Sequence, residues 1–127
     1  MSSVRSISLT VLRITGTVQV VTGLLFWAGF AYALIPVHML SGLILALALL
    51  ALAIAAITSR VARGLATLAV AWSIFLPIFG VMQSQILPGF NHWVVQVAHL
   101  LVGLAALGMG GRLAHESRSR QQSLSAS

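Results

Sequence analysis

"PVHMLSGLILALALLALAIAAIT", residues 36–58, contains no charged side chain and holds a single histidine in a largely apolar run. It belongs to an uncharged segment that covers residues 14–59, and a second uncharged segment covers residues 64–111. One transmembrane helix needs about 20 apolar residues, so each segment is long enough for two spans. The sequence therefore predicts an all-α integral membrane protein, built as a four-helix bundle.

Composition and charge support this class. Of the 127 residues, 59% are hydrophobic and only 6% are charged, whereas a soluble domain usually carries about 25% charged residues. The formal net charge of +6 comes from arginines that cluster near the expected helix ends. This placement indicates topology signals and contacts with the lipid bilayer rather than binding of nucleic acid. The absence of cysteine excludes disulfides and thiolate ligation of a metal.

Turn residues divide the chain into four predicted helices and a tail. Residues 1–114 are expected to form the transmembrane domain, and the polar residues 115–127 a disordered tail. The first 33 residues imitate a signal peptide, but their apolar run of about 20 residues exceeds the usual 7 to 15, so a retained helix is expected. The predicted helices cover residues 8–34, 36–58, 65–87 and 92–114.

The arginines predict the orientation of the bundle. They lie at the beginning of helix 1, between helices 2 and 3, and after helix 4, whereas the turns around Pro36 and Pro88 contain none. The positive-inside rule makes the arginine side cytoplasmic, with both termini inside. The expected location is a cell membrane, in a bacterium the inner membrane.

A weak internal repeat relates two predicted hairpins. With an offset of 61, "VHMLSGL" at 37–43 lies on "AHLLVGL" at 98–104, and His, Leu, Gly and Leu agree. Helices 2 and 4 would then run in the same direction, related by an axis along the membrane normal.

Ionisable residues within membrane helices indicate function. The predicted spans contain no Asp, Glu or Lys, so the candidates are His38, His99 and His92. The polar neighbours are Gln19, Gln83, Gln85 and Gln96.

Two neutral imidazoles on facing helices can hold a six-coordinate haem b. His38 and His99 are therefore the predicted metal ligands, and a glycine one turn after each would let the porphyrin approach the backbone. Two polar residues lie three positions from their histidines on the same faces. The predicted cofactor contacts are Gly42, Gly103, Ser41 and Gln96.

One observation counts against this pair. Arg60 follows His38 by 22 residues, but Arg112 follows His99 by only 13. If both arginines marked one interface, the histidines would differ in depth by roughly 13 Å. The difference shrinks if helix 4 extends past Arg112, or if His92 is the partner of His38.

Histidines in the outer parts of helices 2 and 4, each in H-x-x-x-G surroundings, resemble one four-helix half of haem A synthase. More loosely the chain is similar to small membrane cytochromes of the b561 kind. The resemblance implies a haem facing His38 and His99. It does not extend to oxidation of a haem methyl group, because no acidic residue lies near either histidine, and no catalytic residue is predicted.

The expected function is electron transfer, or sensing or carriage of haem. The candidate redox partners are a quinone or a redox protein. A non-catalytic partner subunit is an alternative, and a homo-oligomer is the further candidate assembly. A small transporter or channel is a weaker alternative, because such exporters typically use a carboxylate within the membrane and this chain has none there.

Overall fold

The computed structural model describes residues 2–127, and over this range the chain is built from helices alone. Two short 3₁₀ turns, Tyr32–Leu34 and Gln83–Gln85, precede α2 and follow α3. Each of the four main helices is long and apolar enough to cross a membrane. The predicted all-α four-helix class is thereby confirmed for the described residues. The long helices are α1 (Ser2–Trp27), α2 (Ile35–Thr58), α3 (Arg63–Met82) and α4 (His92–Ala126).

The second helix has nearly the bounds that its sequence predicts. Pro36 lies in the first turn of α2, where its missing N–H has no intrahelical partner to lose. The helix ends at Thr58, and the chain reverses within residues 59–62. Arg60 and Ala62 take positive φ angles of 57° and 43° in this reversal. The turn is short enough to place α3 directly beside α2.

The outer ends of α1 and α3 differ from the prediction. α1 ends at Trp27 rather than at residue 34, because Gly29 and Ala31 take positive φ angles of 85° and 59° that are incompatible with a continuing helix. α3 ends at Met82 rather than at residue 87. Both connections at this end are therefore longer than the sequence predicts.

The last helix extends beyond its predicted end at residue 114 and continues to Ala126. The polar composition of this extension favours disorder, but burial and hydrogen bonds hold its first turns in place. Ser117 is buried, and its hydroxyl donates to the Leu113 carbonyl at 2.8 Å. Arg120 donates to the Arg60 carbonyl at 2.7 Å, which ties the extension to the α2–α3 turn.

Contacts between side chains define the helix directions. Arg5 of α1 donates to Ser59, which follows α2, and Thr22 of α1 contacts His38 at the beginning of α2. The helices α1 and α2 are therefore antiparallel. The end of the bundle with the α2–α3 turn is called the arginine end below, and the opposite end the histidine end.

The helices α2 and α4 run in the same direction. His38 lies beside His99 at the histidine end, and Leu52 lies beside Gly110 nearer the arginine end. The indole N–H of Trp72 in α3 donates to the Val102 carbonyl in α4 at 3.0 Å.

Leucine and alanine fill the space between the helices. The small alanines let the backbones approach closely, as is usual in membrane bundles. Large apolar side chains also cover the outer surface, among them Leu40 and Leu101, which are each 60% exposed. Such a surface suits lipid rather than water. The largest fully buried side chains are Leu12, Leu45, Leu49 and Leu113.

Candidate functional site

The two central histidines lie next to each other at the histidine end. The ring centroids of His38 and His99 are 6.2 Å apart, with an angle of 52° between the ring planes. Both residues are partly buried. The expected difference in depth does not arise, because α4 continues well past Arg112 and this arginine therefore does not mark the end of the helix.

A hydrogen bond to Thr22 orients the His38 ring. The Thr22 hydroxyl lies 2.6 Å from His38 Nδ1 and 2.6 Å from the Val18 carbonyl. A hydroxyl has one proton, and the carbonyl can only accept it. Thr22 therefore donates to Val18 and accepts from the Nδ1–H of His38. This tautomer leaves Nε2 of His38 with a free lone pair, which is the state that a metal ligand needs.

Two further polar groups fix the backbone of His38. The Gln19 amide donates to the His38 carbonyl and, at 2.6 Å, to the Ser41 hydroxyl. Ser41 in turn donates to the His38 carbonyl at 3.1 Å. Gln19 also covers Gly42, because a Cβ atom added there would lie 3.3 Å from its amide nitrogen. The predicted contacts Ser41 and Gly42 thus belong to the framework that holds α1 against α2.

The surroundings of His99 contain fewer hydrogen-bonding groups. Its Nδ1 is buried and has no hydrogen-bond partner among residues 2–127. A Cβ atom added at Gly103 would meet no described atom within 4 Å, so there is open space one turn from this histidine. Gln96 is partly buried on the same helix. Buried polar atoms are nearly always paired, so the orphaned nitrogen leaves this half of the site incomplete.

A glycine from the preceding helix lies beneath each imidazole. A Cβ atom added at Gly23 would lie 3.7 Å from Cε1 of His38, and one added at Gly80 would lie 3.4 Å from Cε1 of His99. A larger side chain at either position would therefore press on a histidine ring.

A phenylalanine also flanks each ring. The centroid of Phe26 is 5.3 Å from that of His38, and the centroid of Phe79 is 5.7 Å from that of His99. Sequence reasoning missed these aromatic residues and the two glycines, because only the register between neighbouring helices brings them to the histidines. Gln19 is among the polar neighbours that the sequence points to, and Thr22 lies on the same helical face three residues later.

The runner-up ligand lies elsewhere. His92 is the first residue of α4, and its Nδ1 is 3.2 Å from the Ile86 carbonyl in the connection before that helix. The imidazole beside His38 is that of His99.

The number of ligands that the protein offers limits which metal group the two rings could hold. Metal–imidazole bonds are about 2 Å long, so one metal between two imidazoles places the ring centroids about 6 Å apart. Residues 2–127 contain no group of three His, Cys, Asp or Glu side chains that could hold a bare ion. A porphyrin supplies four nitrogen ligands of its own, so two histidines suffice for haem. Two histidines would therefore be enough to hold a haem, whereas the described residues offer no third His, Cys, Asp or Glu ligand for a bare ion.

Comparison with known proteins adds no relative. No family model, curated protein or solved structure matches this chain.

Proposed function

We propose that this chain is a membrane haem b-binding protein in which His38 and His99 are the two axial ligands. The observation that carries the proposal is the 6.2 Å separation of the two imidazole centroids, reached by helices that run in the same direction. If His38 and His99 hold a haem, the group would supply one-electron redox chemistry at this site. Electron transfer, or sensing or carriage of haem, follows from this ligation more readily than activation of a substrate at the iron.

Three features of the surroundings support the same ligands. The bond to Thr22 leaves Nε2 of His38 available, and a metal bond at His99 would hold a ring that makes no Nδ1 hydrogen bond within the described chain. Gly23 and Gly80 leave room at the rings. The resemblance to one half of haem A synthase favours the same cofactor, but no methyl oxidation is proposed.

Reconstitution with haemin tests the proposal. The purified protein should bind one equivalent of haemin and give a low-spin spectrum, because two imidazoles fill both axial positions. His38→Ala and His99→Ala should each give a high-spin spectrum or lose the haem. His92→Ala is the matched control and should leave the spectrum unchanged.

Two results would contradict the assignment. A wild-type protein that stays colourless with haemin and after purification from haem-replete cells would favour the partner-subunit alternative. A low-spin spectrum that survives His99→Ala and is lost in His92→Ala would transfer the second ligand to His92.

We also propose that the arginine end faces the cytoplasm of a bacterial inner membrane. The contacts of Arg5 with Ser59 and of Arg120 with the Arg60 carbonyl bring basic residues from two helices and the α2–α3 turn to that end. The positive-inside rule then orients the bundle. Reporter fusions at residue 127 and in the 59–62 turn should report cytoplasm, and a fusion at Gly89 the exterior. A cytoplasmic signal at Gly89 would overturn this orientation.

A further inference from the structure

A groove between α1 and α4 lies outside the histidine site. It has a volume of about 630 Å³. Along α1 it extends from Leu9 to Val21, which is roughly 18 Å of helix. Its lining includes Leu9, Arg13, Gly16, Val21, Leu107 and Gly111.

The groove is polar around Arg13, about 6 Å from its Leu9 end, and apart from Thr17 its lining is apolar from there to Val21. Arg13 is the one charged residue of the lining within the described chain, and it is exposed. The hydroxyl of Thr17, which also lines the groove, is already used, since it donates to the Arg13 carbonyl at 2.9 Å. Glu116, the only acidic residue of the protein, lies 3.9 Å from Arg112. The Arg13 guanidinium is thus available to an external anion.

Arg13 lies deeper in the bundle than Arg5 does. Eight residues separate it from Arg5, which reaches the end of α2, so Arg13 lies about 12 Å closer to the middle of the bundle. From Arg13 the groove continues toward the histidine end, past Gly16 to Val21. A phospholipid whose head group lies at the arginine end has the same order of parts, with its phosphate first and its acyl chains beyond.

We infer that the α1–α4 groove binds an anionic phospholipid, with the phosphate at Arg13 and an acyl chain along Val20 and Val21. Charge complementarity selects this occupant, because an apolar groove with one unpaired cation fits an amphiphile with one negative head group. The inference does not depend on haem.

Native mass spectrometry of the purified protein tests this site, with phosphatidylglycerol and phosphatidylcholine of identical acyl chains as probes. One nearby arginine favours an anionic head group by about fivefold, so phosphatidylglycerol should bind about fivefold more tightly. Arg13→Gln should remove this preference. Arg63→Gln, which changes an exposed arginine outside the groove, should retain it.

A second pair of variants tests the acyl-chain part. Val21 and Ile14 are both exposed on α1, at 52% and 61%, but only Val21 lines the groove. Val21→Trp should therefore weaken binding of both lipids severalfold, and Ile14→Trp should not. Equal binding of the two lipids by the wild type, equal losses in the two arginine variants, or equal losses in the two tryptophan variants would each overturn the site. A dimer that excludes lipid would assign the groove to a second copy of the chain instead.

Discussion

The α1–α2 and α3–α4 hairpins present their histidines in similar ways but support them differently. In each hairpin the second helix carries the histidine, and the first helix carries the glycine beneath the ring. His38 donates to Thr22, and Gln19 holds its backbone carbonyl. His99 has a buried Nδ1 with no partner in the described chain.

The two hairpins therefore hold their histidines in different ways. The first hairpin fixes His38 through hydrogen bonds that also hold α1 against α2. The second hairpin positions His99 by packing alone and leaves open space at Gly103. If one haem binds both histidines, substitutions in the first hairpin should change haem affinity by altering the orientation of His38. Substitutions in the second hairpin should change it by filling the space beside His99.

Gly80→Leu should have the largest effect on haem binding. Its side chain would press on His99, which has no hydrogen bond at Nδ1 to hold it in place. Overpacking costs up to about 3 kcal/mol, which corresponds to roughly a 100-fold loss of haem affinity in a haemin titration. Gly64→Leu, in the same helix but facing open space, is the control and should bind as the wild type does. A Gly80→Leu protein with wild-type affinity would mean that the glycine does not position His99.

Thr22→Val should have an intermediate effect. It removes the acceptor for the His38 Nδ1–H, and loss of such a partner typically lowers metal affinity by about tenfold or more. Thr15→Val is the matched control, since Thr15 is also buried in α1 and its hydroxyl also bonds a carbonyl one turn back, but it touches no histidine. Equal losses in both variants would show that the cause is the packing of α1 rather than the orientation of His38.

Gly103→Leu should have the smallest effect of the three. The added side chain fills open space one turn from His99, and a porphyrin that uses this space would lose about 1 kcal/mol, or about fivefold in affinity. Gly108→Leu changes another open position of α4 and should have no effect on haem affinity. If the two variants titrate alike, the porphyrin does not extend along α4 past Gly103.

The sequence predicted the helices better than it predicted the site. Hydropathy and charge determine where four spans can form, so the number of helices and both bounds of α2 agree with the structure to within one residue. The end of α4 at Ala126 could not be predicted from local composition, because its anchors are tertiary contacts such as that of Arg120 with the Arg60 carbonyl.

The proximity of His38 and His99 was predicted from their matched surroundings, and the two rings do lie side by side. The groups around the rings were not predicted. Thr22 and Gly80 reach the histidines only through the register between neighbouring helices, and hydropathy carries no information about that register. The glycines singled out from the sequence, Gly42 and Gly103, lie one turn from the rings, against Gln19 and open space.

Near-infrared magnetic circular dichroism of the haemin-reconstituted protein tests the shared ligation most directly, because its charge-transfer band reports which two side chains bind low-spin ferric iron. We expect a bis-histidine signature for the wild type, a histidine–methionine signature or a high-spin spectrum for both His38→Met and His99→Met, and no change for His92→Met. A bis-histidine signature that persists in His38→Met or in His99→Met would contradict the central claim.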